Sequence, residues 1–115
     1  MLKNLLLQDI DNFLSILGED ITYVKKNYLI SKQEYIDVLL YSIKKNSYIV
    51  VQIKNDELSK EYLEEIKKSM HYIDKKVKTN KENKTEGIII GKYNEKYQII
   101  FTSNPNIIMN KTIKY

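Results

Sequence analysis

The sequence predicts a mixed α+β domain: one sheet with parallel and antiparallel strands, flanked by two helices. Three observations carry this. Apolar residues recur every three or four positions over residues 2–17 and again over 56–78, the mark of helices with one buried stripe. The stretches after each helix hold short runs rich in branched and aromatic residues, divided by polar turns. The resulting order, helix, three strands, helix, two or three strands, suits a sheet with helices packed on it.

The first helix is expected over 2–17, where Leu2, Leu6, Ile10, Phe13 and Leu17 form the stripe and Gly18 ends it. Strands follow over 21–30, 35–43 and 47–54, with Lys44, Lys45 and Asn46 turning the chain between the last two. Ile49, Val50 and Val51 are consecutive apolar residues, which predicts a strand covered on both faces. In the second helix Leu58, Tyr62, Ile66, Ile73 and Val77 share one face, and Asp56 or Ser59 can cap its start. A polar loop spans 79–86. A hairpin follows, with strands over 87–93 and 97–103, and a short strand over 111–115 closes the chain.

With 115 residues, one domain over 1–115 is expected. A chain of this size can bury about two thirds of its unfolded surface. No apolar run approaches the ~18 residues of a membrane helix, and the N-terminus makes a poor signal peptide, so a cytoplasmic protein without a membrane partner is expected. Cysteine is absent and His71 is the single histidine. That excludes a disulfide framework, a thiolate zinc site, a cysteine nucleophile and a multi-histidine metal site. The formal charge of +4 favours polyanions only mildly. Arginine is missing altogether, so the use of lysine carries no functional meaning by itself.

No glycine-rich phosphate loop or nucleophile elbow is present. Polar residues inside apolar strands stand out instead. Asp37 lies in Tyr-Ile-Asp-Val-Leu-Leu-Tyr, and Gln52 and Lys54 share one face of the next strand by alternation. An acid in an apolar strand is costly to bury. It implies a cleft, a metal or a salt bridge, and an Asp37–Lys54 pair at a strand end or plain exposure at a sheet edge are the structural alternatives. The ten tyrosines read as packing residues and His71 as a solvated side chain. The lysines over 75–84 form either a solvated loop or an arm that touches phosphates.

An acid on one strand, then a polar residue, one more position and lysine on the next, then a helix, resembles the PD-(D/E)XK nuclease superfamily. Phe13-Leu14-Ser15-Ile16-Leu17-Gly18, Tyr35-Ile36-Asp37-Val38-Leu39-Leu40-Tyr41, Tyr48-Ile49-Val50-Val51-Gln52-Ile53-Lys54, Glu61-Tyr62 and Gly87-Ile88-Ile89-Ile90 occur in that order. Together they resemble the C-terminal nuclease domain of YhcG-like proteins. The resemblance implies a restriction-endonuclease-like core and a metal-dependent endonuclease acting on DNA ahead of RNA. Asp37, Gln52 and Lys54 are then the catalytic residues, with Lys54 activating water. Mg²⁺ or Mn²⁺ is held by Asp37, Gln52 and the Ile53 carbonyl. Gln52 stands where the family has Glu, and Glu65 where the family's following helix has Gln. An exchange of the two would make Glu65 a further metal ligand, and the alternative is a solvated acid pairing with Lys68 or Ser69. Lys25, Lys26, Lys78, Lys81 and Lys84 are the expected nucleic-acid contacts. A homodimer is among the expected arrangements, since small nucleases often pair to cut both strands. The competing reading is a catalytically degenerate module that binds nucleic acid or a protein partner.

Overall fold

The computed structural model describes residues 20–56, 59–93, 96–104 and 107–114. The helix expected over 2–17 lies outside the described residues. Within them are six strands and one helix: β1 (Ile21–Leu29), β2 (Tyr35–Ser42), β3 (Ser47–Ile53), α1 (Lys60–Lys76), β4 (Glu86–Tyr93), β5 (Lys96–Asn104) and β6 (Ile107–Lys114). All six strands join one sheet in sequence order. Every neighbouring pair is antiparallel except β3–β4, which is parallel. The reason is the connection: α1 carries the chain back to the starting end of the sheet, as a parallel pair requires.

The β2–β3 hairpin turns through residues 43–46, one earlier than the three polar residues suggest. Asn46 adopts φ 52° there, a left-handed conformation that asparagine tolerates better than most residues. The apolar run predicted to be doubly covered is buried, Ile49 at 4% exposure and Val50 and Val51 at 0%, and Ile36, Val38, Leu39 and Leu40 of β2 are fully buried beside it.

Ser59 occupies the N-cap position of α1. The helix buries Ile66, Ser69, Met70 and Ile73, and its apolar residues share a core with Leu39, Val50, Ile89 and Ile100 of the sheet. Contact is close at Gly87 in β4. A Cβ there would lie 2.8 Å from Met70 Sδ, 2.9 Å from Ile66 Cγ1 and 3.0 Å from Thr102 Cγ2. At the far end of α1, the N–H and hydroxyl of Thr85 both donate to Asp74 Oδ1 (2.9 and 2.7 Å), fastening the helix to the start of β4.

Candidate active-site cleft

The cleft forms where the β2–β3 ladder stops. The last antiparallel pair on that side is Val38–Val51. Alternation places Asp37 on the same face as Leu39, and Gln52 on the same face as Val50, so both turn toward α1. Asp37 is 4% exposed and Gln52 also 4%. The Ile53 N–H donates to Asp37 Oδ2 at 2.7 Å. This side-chain acceptor continues the strand pairing beyond the ladder.

Gln52 Nε2 donates to the Tyr35 carbonyl at 3.2 Å and to Ser69 Oγ at 3.3 Å. A carbonyl only accepts, so the amide orientation follows from the chemistry of its partner. Oε1 is then the atom Gln52 offers as an acceptor. Lys54 Nζ lies 3.0 Å from Glu65 Oε1 and 3.1 Å from Oε2, and 4.6 Å from the centroid of the Tyr62 ring. The Lys54 N–H donates to the Ile90 carbonyl at 2.7 Å, holding the strand end in place. Tyr62 in turn donates to the Asp56 carboxylate at 2.9–3.0 Å. That bond holds the Tyr62 hydroxyl above its ordinary pKa. The cleft measures about 330 Å³, and Tyr35, Asp37, Gln52, Lys54, Glu65 and Ser69 line it together with Ile53.

Five of the residues singled out in the sequence, Asp37, Gln52, Ile53, Lys54 and Glu65, therefore meet in one place. Their pairing differs from expectation. The Lys54 ammonium sits on Glu65 rather than in an Asp37–Lys54 bridge, and Glu65 pairs with Lys54 rather than with Lys68 or Ser69. Ser69 was missed as a site residue. Its signal was present: a hydroxyl between Ile66, Met70 and Ile73 on an otherwise apolar helix face.

The five lysines do not join the cleft. Lys78, Lys81 and Lys84 lie in the loop between α1 and β4, which docks on the tip of the β2–β3 hairpin. Asn46 Nδ2 donates to the Lys81 carbonyl (2.6 Å), and the Asn83 N–H and Nδ2 donate to the carbonyls of Asn46 and Lys45 (both 2.8 Å). That tip is at the opposite end of β2 from Asp37, about 17 Å away along the strand from Asp37 to Ser42 at ~3.4 Å per residue. Lys25 and Lys26 are exposed on β1, at the sheet edge, paired with Leu39 and Val38.

Among the described residues, no three His, Cys, Asp or Glu side chains converge as a metal cluster. The donors in the cleft are nonetheless all oxygens: the carboxylates of Asp37 and Glu65, the Gln52 amide oxygen and the Ile53 carbonyl. That set fits a hard divalent cation in kind, with less negative charge than a pair of strand carboxylates would bring.

No curated protein and no solved structure matches the chain. A family model for a YhcG PDDEXK nuclease domain, however, matches residues 1–112. With nearly the whole chain covered, and with the acid and lysine of its strands gathered in one cleft, the protein belongs to the YhcG PDDEXK nuclease domain family.

Proposed function

We propose that the protein hydrolyses phosphodiester bonds in nucleic acid, DNA ahead of RNA, at the cleft between β2, β3 and α1. The observation that supports this reading is the convergence of Asp37, Gln52 and Lys54 on one cleft beside Glu65. Asp37, Gln52 through Oε1, Glu65 and the Ile53 carbonyl would hold Mg²⁺ or Mn²⁺, which supplies Lewis-acid polarisation of the phosphoryl oxygen. The chain's own groups do the rest. Lys54 presents a positive charge to the scissile phosphate and orients the attacking water. Its ion pair with Glu65 keeps the ammonium aimed across the cleft mouth until a phosphate competes for it. Asp37, fixed by the Ile53 N–H, keeps its carboxylate at the cleft wall.

Gln52 supports a second reading. Its amide makes two hydrogen bonds that a carboxylate could not make as donor, which suits a binding module that has lost catalysis. Incubation of the purified chain with supercoiled plasmid and single-stranded DNA, in Mg²⁺, Mn²⁺ or EDTA, separates the two. Cleavage that EDTA stops, and that Asp37→Asn or Lys54→Gln lowers by about 10²–10³, is the expected result. Binding without cleavage under every metal condition selects the second reading.

A further inference from the structure

A second cleft of about 320 Å³ lies beside the first, between α1 and the β1–β2 turn. Ile30 and Glu34 line both clefts, so the two are continuous along the helix. The floor of the second is apolar: Ile30 and Tyr72 are half-buried and pack against the core. Its rim is basic. Lys68, Lys75 and Lys76 stand around it with His71, and all four are exposed. One acid, Glu34, faces them, 3.8 Å from Lys68. The three lysines fall at i, i+7 and i+8 on α1, so they line one side of the helix.

Apolar floor and cationic rim together suit a flat ring attached to a phosphate. A duplex would present phosphates, sugars and base edges here, but its base faces are stacked inside. An unpaired nucleotide offers both groups. Its base can lie on Tyr72 and Ile30, with its phosphate on Lys75 and Lys76. We infer that this second cleft binds an unpaired nucleotide flanking the scissile phosphate, so the site takes single-stranded nucleic acid. This rests on the nuclease reading above and adds the strandedness of the substrate.

The test measures fluorescence anisotropy of a labelled oligothymidylate of ~12 nucleotides, within the size range of small single-strand sites, at about 50 mM salt and in EDTA to prevent cleavage. A matched strand of abasic deoxyribose phosphates is the second probe. The wild-type chain is expected to bind oligothymidylate more tightly than the abasic strand. Tyr72→Leu keeps an apolar side chain but removes the ring. It should weaken oligothymidylate about tenfold and leave the abasic strand unchanged. Lys75→Gln with Lys76→Gln, both exposed positions where folding is not at stake, should weaken both probes and reduce the salt slope by about 1.4. Two results overturn the inference and leave the nuclease reading standing: cleavage and oligothymidylate binding unchanged in both variants, or tighter binding to a duplex of the same length. Binding of a polyglutamate peptide that the lysine variants lose, with oligothymidylate unaffected, also overturns it in favour of an acidic protein partner. A wild-type chain that neither binds nor cuts any nucleic acid removes both readings.

Discussion

Gln52→Glu puts a second carboxylate beside Asp37 on the strand pair, and the structure indicates what it costs. Gln52 Nε2 donates to the Tyr35 carbonyl (3.2 Å) and to Ser69 Oγ (3.3 Å). A carboxylate turns the first contact into one acceptor facing another. The second survives, because the Ser69 hydroxyl can rotate to donate. The distances sit at the long end of the hydrogen-bond range, so each bond is worth about 0.5–1.5 kcal/mol. The new charge also lies at a position only 4% exposed, beside Asp37. In EDTA the variant should therefore be less stable by about 1–3 kcal/mol, or about 4–12 °C in Tm for a domain of this size. A divalent cation reverses the sign of the added charge's effect. At 100 times its dissociation constant it returns about 2.7 kcal/mol. Thermal unfolding with and without Mn²⁺, for wild type and variant, reads both terms. The variant should gain more from Mn²⁺ than the wild type, and should cut faster. Equal stability in EDTA would refute the structural role given to the amide. Equal gain from Mn²⁺ would remove Gln52 from the cation site.

Three further outcomes are expected. Gly87→Ala places a Cβ 2.8–3.0 Å from Met70, Ile66 and Thr102, and should cost about 1–3 kcal/mol by overpacking, measured by urea unfolding; an unchanged midpoint would mean α1 can move off β4 freely. Glu65→Gln should lower Mn²⁺-supported cleavage about tenfold or more, whereas full activity excludes Glu65 from the cation site. Hydrogen bonds from Ser42 to Asp20 and from Thr79 to Glu82 hold both carboxyls below their ordinary pKa values. Their contribution is thus complete above the ordinary carboxylate range and is lost as pH falls below about 4 through the lowered folded values. Urea midpoints taken from pH 5 down to 2.5 should fall less steeply in Ser42→Ala than in wild type.

The strand core was legible because its signal is local. The near-continuous apolar runs in Tyr35–Ser42 and Ser47–Ile53 mark two strands buried along most of their length. β6 was read short, from 111 rather than from Ile107, since Asn110 and Lys111 interrupt its apolar residues. Where the lysine loop docks was hidden for a different reason. Composition counts its charges, but its position is set by Asn46 and Asn83, whose amides fasten it to the hairpin tip. At the cleft, spacing found the residues and could not find their partners, because side-chain reach across α1 is not a property of spacing. That pairing has a consequence for function. Asp37 accepts from the Ile53 backbone N–H at 2.7 Å. Lys54 is instead held by Glu65, with side chains 21% and 47% exposed. An ion pair this open to water is worth only about 0–1 kcal/mol. A substrate phosphate can displace it at little cost, while the buried acid beneath stays fixed. The two charges that the proposed chemistry uses are thus held by different contacts, one buried and one exchangeable.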